Sequence, residues 1–116
     1  MLKIKGTTIK MTKGDTLRCQ VIALQGEDEG NVEDVPYIPV EGDRVRFAMK
    51  RNYKDNVCLI KKEIPIDTMI LELVPRDTKN LPAGDYVYDV ELTYGIDGAV
   101  DTFIANAQLV ILEEVD

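Results

Sequence analysis

The sequence predicts an all-β protein, an antiparallel β-sandwich of about seven to eight strands folded as one domain over residues 1–116. Three observations carry that expectation. From Asp85 to Tyr94, the residues Tyr86, Tyr88, Val90, Leu92 and Tyr94 alternate with Asp85, Asp89, Glu91 and Thr93, the period of a half-buried strand. Shorter alternating runs recur along the chain, punctuated by Gly and Pro. An apolar helical period is missing except across Arg76–Leu81, so helices have almost no place.

The opening residues read as a short edge strand, Leu2–Lys5 and Thr7–Met11, broken at Gly6. Lys13-Gly14-Asp15 turns the chain. Thr16–Leu24 follows as a core strand with Leu17, Cys19, Val21 and Ala23 inward against Arg18, Gln20 and Ile22. Gln25–Asp34 is a solvated acidic loop, and Val35–Val40 runs extended but holds two prolines, which keeps it out of a sheet centre.

Glu41-Gly42-Asp43 is read as a surface turn into Arg44–Arg51, which points Val45, Phe47 and Met49 inward and Arg44, Arg46 and Lys50 outward. Asn52–Asn56 turns back, and Val57–Ile60 with Lys61 and Lys62 completes a hairpin with a basic outer face. Ile64–Asp67 breaks that pattern. Thr68–Val74 alternates again through Met69, Leu71 and Leu73. Pro75, Pro82 and Gly84 then stop one strand and bend the chain into the next, since Pro lacks a ladder donor and Gly accepts a positive φ.

The bend Leu81-Pro-Ala-Gly84-Asp-Tyr86-Val-Tyr88 has the form of the tyrosine corner of immunoglobulin-like sandwiches, with Leu81, Gly84 and Tyr86 as its structural residues. Tyr86 is expected to return its hydroxyl to a backbone group upstream. Tyr88 stands where antibody domains carry their second Cys. Gly95–Gly98 is a hairpin turn, and the last strand runs Val100–Val115 with Phe103, Ala105, Ala107, Leu109 and Ile111 on one face and Ile104, Val110 and Leu112 on the other.

Composition narrows the function more by exclusion than by motif. The net charge of −7, from 14 basic and 21 acidic residues, argues against nucleic acid, and no basic stripe appears. No uncharged run approaches a membrane span, and the first residues lack a signal peptide's apolar core, so neither membrane insertion nor export is expected. Cys19 and Cys58 are expected as small buried thiols without a disulfide.

The chain has no His, Ser or Trp. That removes the imidazole base, the Ser nucleophile and the usual zinc ligand, so no catalytic residue, cofactor or metal is assigned and an enzyme is not expected. The acids lie in loops or at outward positions and read as solvated. The acidic loop at Glu27–Asp34 lacks the ligand spacing of a calcium-binding EF-hand. Tyr37 and Tyr53, in predicted loops, are the candidate aromatic contacts, while Tyr86, Tyr88 and Tyr94 share the core face.

Beyond these readings, the order Gly14-Asp-Thr, Glu41-Gly-Asp-Arg-Val-Arg-Phe47, Leu59-Ile-Lys-Lys62, Leu73-Val-Pro-Arg-Asp77-Thr78, Leu81-Pro-Ala-Gly84-Asp-Tyr86-Val-Tyr88-Asp89 and Gly98-Ala-Val-Asp-Thr102 resembles a family pattern. It is similar to the N-terminal immunoglobulin-like domain of phage baseplate upper proteins and to small prophage tail-associated proteins of Gram-positive hosts. The resemblance implies a non-enzymatic adaptor of a phage or prophage tail baseplate, present in the virion after assembly in the host cytoplasm. Its expected partners are tail or baseplate proteins and further copies of itself.

In longer relatives the domain leads into helices that carry receptor-binding proteins. A chain ending at Asp116 leaves no length for them, so a free-standing adaptor is expected. Docking is assigned to sheet edges and loops, with Tyr37, Tyr53, Ile104, Val110 and Leu112 as contact candidates. The alternative is a carbohydrate- or surface-binding module built on Tyr37, Tyr53 and the acidic loop.

Overall fold

A computed structural model describes residues 2–3, 8–21, 23–25 and 35–113. Its elements in chain order are β1 (Leu2–Lys3), β2 (Ile9–Thr12), β3 (Leu17–Gln20), β4 (Ala23–Gln25), β5 (Val35–Tyr37), β6 (Arg44–Lys50), β7 (Ile60–Ile64), β8 (Ile70–Leu73), the helical turn α1 (Pro75–Thr78), β9 (Gly84–Thr93) and β10 (Val100–Leu112). The protein is built almost wholly of β-structure, as the alternation requires.

β9 is the centre of a five-stranded sheet ordered β2-β10-β9-β6-β7. Its alternation does what period two demands: Tyr86, Tyr88, Val90 and Leu92 are buried, and none of the residues between them is. On one side β6 pairs antiparallel, setting Val45 against Leu92, Phe47 against Val90 and Met49 against Tyr88. Apolar side chains opposite one another are the stabilising unit of a sheet, and here the pairs come in an unbroken series. The Phe47 and Tyr88 rings pack at 5.4 Å.

A two-stranded sheet of β3 and β8 pairs Leu17 with Leu73 and Cys19 with Leu71. Leu71 and Leu73 are buried in the same core cluster as the inner residues of β6, β9 and β10. A third small sheet holds β1, β4 and β5.

The structure corrects several expectations. The sheets are not all antiparallel: β2 runs parallel to β10, with Ile9 beside Leu109 and Leu112 beside Thr12. Ten strands replace seven or eight among the described residues, partly because the predicted strand 16–24 divides at Val21 into β3 and β4. The partner of β6 begins at Ile60 and includes Ile64, which is 1 % exposed, while Val57 is 66 % exposed. Cross-strand fit of Val45 to Ile64 and Met49 to Ile60 decides that register against the nearer apolar run.

The faces of β10 also differ. Its pairing with β9 shifts between Thr102 and Ile104 and again between Ile104 and Ala107. Each shift places an extra residue in β10, and an extra residue turns the following side chains to the other face. Ile104, expected outside, is 4 % exposed, whereas Ala105, expected inside, faces solvent. Asn106 takes a φ of 54° at the second bulge, where its amide donates to Asp89 at 2.7 Å. Gly6, the acidic stretch 27–34 and the last residues, 114–116, lie outside the described residues.

Both cysteines are unpaired and half-buried. Burial pushes the Cys19 thiol up. Tyr88, on the facing sheet, is pushed to about 12 by its own burial and then by the Cys19 charge.

Candidate functional site

The strands of the larger sheet end in two sets of loops. At one end, β6 begins beside the end of β9, since Arg44 pairs with Thr93. Asp43, the residue before β6, is 6 % exposed. An isolated carboxylate at such a depth is costly, so its partners decide whether it is tolerated.

They come from two segments. The Tyr37 hydroxyl donates to Oδ2 at 2.8 Å, the Val40 amide to Oδ2 at 3.0 Å, and the Gly95 amide to Oδ1 at 2.9 Å. Burial alone would raise the Asp43 carboxyl, but the Gly95 and Val40 amides and the Tyr37 hydroxyl outweigh it and hold the group below its ordinary value. Tyr37 is pushed to about 12 by burial, then by the same bond and charge. Its ring stands edge-on to Tyr94 at 5.8 Å.

The segment 37–43 is thereby fixed to the 94–99 hairpin. Backbone contact completes the join: a Cβ built on Gly95 would lie 2.5 Å from the Gly42 carbonyl. The hairpin is itself closed by the Gly98 amide on the Tyr94 carbonyl and the Tyr94 amide on the Ala99 carbonyl, both at 2.8 Å. Held on this frame, apolar side chains face outward: Ile38 is 77 % exposed, Val40 61 % and Ile96 94 %. Exposed apolar residues on a rigid base suit a protein contact surface.

At the opposite end, Tyr86 is buried and its hydroxyl donates to the Pro82 carbonyl at 2.5 Å. The Arg51 guanidinium lies 4.7 Å from the Tyr86 ring centre, and Gly84, at φ +143°, leaves it room. Leu81 packs half-buried against the core. In α1, Asp77 accepts from the Val74 amide at 2.8 Å and pairs with Lys62 at 2.9 Å. Buried Thr78 accepts from the Gly14 amide at 2.9 Å, which accounts physically for the Pro-x-Asp-Thr sequence.

The expected contact residues are dispersed. Tyr37 spends its hydroxyl on Asp43, and Ile104 is interior. Val110 is half-buried, Leu112 is 46 % exposed and Tyr53 is 60 % exposed. Tyr53 borders Val87 and Asp89, whereas Tyr37 meets Tyr94. At about 3.3 Å per strand residue that separates them by roughly 20 Å, so the two tyrosines make no shared platform. Asp43, Ile38, Val40 and Ile96 were not singled out by sequence reasoning. An acid inside Glu-Gly-Asp has the signature of a solvated turn, and only the fold brings Tyr37 and Gly95 to it.

A hollow of about 370 Å³ on the outer face lies among Arg46, Lys61, Lys62, Glu63, Asp89 and Glu91. Its three cations and three carboxylates leave it with no net charge to favour an ion of either sign. Among the described residues no group of three or more His, Cys, Asp or Glu is placed to hold a metal. No helix among them is long and apolar enough to cross a membrane. No protein-family model matches the chain, and comparison with curated proteins finds no match.

Proposed function

We propose that this protein is a non-enzymatic docking module with an immunoglobulin-like topology, serving as an adaptor in a phage or prophage tail baseplate. The strand order β2-β10-β9-β6-β7, the facing β3–β8 pair and the Tyr86 bend support the topology. The tail assignment rests on the family resemblance of the sequence.

One observation carries the docking reading. Ile38, Val40 and Ile96 are exposed on two loops that the buried Asp43 carboxylate locks together. Prearranged loops lose little freedom on binding, so their contacts convert more fully into affinity. The β7 edge of the larger sheet is a poorer candidate than expected: it carries Lys61, Lys62 and Glu63 and is followed by Pro65, devices that discourage strand addition.

The test is pairwise co-purification of the full chain with the products of the genes flanking its own. Retention of a tail protein by the wild type and its loss with Ile96→Asp is the expected result. Flanking genes unrelated to tails, or retention indifferent to Ile96, would remove the proposal.

A further inference from the structure

β6 carries one small residue, Ala48, on the outer face of the larger sheet. The pairing registers set Asp89 of β9 on one side of it and Lys61 of β7 on the other, two strand spacings or roughly 10 Å apart. In the neighbouring row Arg46 stands between Glu91 and Glu63. The hollow of about 370 Å³ opens over this floor and falls within the size of small-molecule sites, roughly 300–1,000 Å³.

A second hollow, of about 30 Å³, continues the first, since Ala48 and Asp89 line both. Tyr53, 60 % exposed, and Asn106 border the extension. From Glu91 to Val87 the resulting trough follows β9 for roughly 13 Å. Asn106 is brought there by the second bulge of β10, with a φ of 54° and its amide donating to Asp89 Oδ1. Bulges commonly re-aim side chains beside a functional site.

Two of the charged groups are already committed, Glu63 to Arg44 and Lys62 to Asp77. Among the described residues, Arg46, Lys61 and Glu91 make no hydrogen bond or ion pair. Glu91 is half-buried, so its carboxylate has given up part of its hydration without a replacement. The signs alternate across the floor: Glu91, Arg46 and Glu63 in one row, Asp89, Ala48 and Lys61 in the next. A simple ion needs an excess of one sign, and a zwitterion needs the signs gathered into two halves. A hydroxyl needs neither, because it donates to a carboxylate and accepts from a guanidinium or ammonium at once.

We infer that the trough binds a neutral saccharide. Its hydroxyls bridge Glu91 and Asp89 to Arg46 and Lys61, its C–H face lies on Ala48, and one ring rests against Tyr53, whose aromatic face and polar tip suit that contact. Neither hollow includes Ile38, Val40 or Ile96, so the inference does not rest on the docking reading.

The experiment applies the full chain to an array of neutral hexose and N-acetylhexosamine oligosaccharides printed beside sialylated and sulfated ones. Binding confined to neutral glycans is expected. The strongest binder is then titrated by NMR, where the amides of Ala48, Asp89 and Asn106 should shift, with affinity changing less than about twofold between low and high salt because no net charge is matched. Arg46→Ala should weaken binding at least about tenfold, the loss of one charge-assisted hydrogen bond. Ala48→Arg, which fills the floor, should abolish binding, and Ile96→Asp should leave it unchanged. Circular dichroism and urea midpoints matched to wild type separate lost contact from lost fold; should Ala48→Arg misfold, Arg46→Ala, at an exposed position, decides alone.

No glycan bound, binding only to charged glycans, or affinity falling steeply with salt would overturn the inference. So would a neutral glycan held undiminished by either folded trough variant, or one released equally by Ile96→Asp.

Discussion

Gly95 lies so close to Gly42 that any side chain would drive its Cβ to 2.5 Å from the Gly42 carbonyl. Backbone, unlike the tip of a flexible side chain, cannot yield cheaply. Gly95→Ala is therefore expected to lower stability by about 1–3 kcal/mol, read as a fall in the urea midpoint at unchanged slope. The same variant should weaken docking, because the 94–99 hairpin and the 37–43 segment must separate to admit the methyl.

Asp43 is the acid on which that join depends. Asp43→Ala strands three donors and is expected to cost about 3–5 kcal/mol, against about 1–2 kcal/mol for Tyr37→Phe, which removes one donor at a half-buried position. The folded carboxyl titrates below its ordinary value. Its stabilisation is thus complete above the unfolded value, about 3.9, and is lost as pH falls through the folded one. Asp77, whose burial is outweighed by Lys62 and the Val74 amide, adds a loss of the same sign. Urea midpoints measured from neutral pH downward should decline through this window, and Asp43→Asn should decline less steeply.

At the alkaline end the sign reverses. Tyr37 and Tyr88 both hold their protons to about 12. Because the unfolded phenols ionise near 10, stability should fall as pH rises above that value. Absorbance at the phenolate band should show a late pair of ionisations in the native protein. Tyr37→Phe should remove one of them.

The bulged register of β10 sets Ile104 and Leu112 apart, although both read as outward positions in the sequence. Ile104→Ala is expected to cost about 2–4 kcal/mol, and Leu112→Ala under about 1 kcal/mol. Equal effects in thermal unfolding would contradict the register.

Tyr86→Phe leaves the Pro82 carbonyl without its donor and should cost about 1–2 kcal/mol. Gly84→Ala combines a φ of +143° with a Cβ 3.1 Å from the Arg51 guanidinium and should cost at least as much. Chemical denaturation of each variant is the measurement.

What could be read in the sequence was whatever is local. β9 announces itself because ten residues repeat one short-range pattern, and the Leu81–Tyr86 bend because Pro and Gly have fixed backbone preferences. What could not be read depends on pairing at a distance. A bulge in β10 leaves no mark in its own residues, and the direction of β2 beside β10 is decided by neighbours about a hundred positions away. Asp43 was misread for a related reason, since one of the donors that make its burial tolerable, the Gly95 amide, lies 52 positions away.

The parallel seam between β2 and β10 also bears on how the molecule takes a load. Tension drawn backward from Ile9 and forward from Leu112 runs along the strands, so the four paired positions of the seam are strained together in shear. An antiparallel seam pulled from its open end would yield one rung at a time. The first arrangement resists traction better, and this chain has it at the flank of its principal sheet.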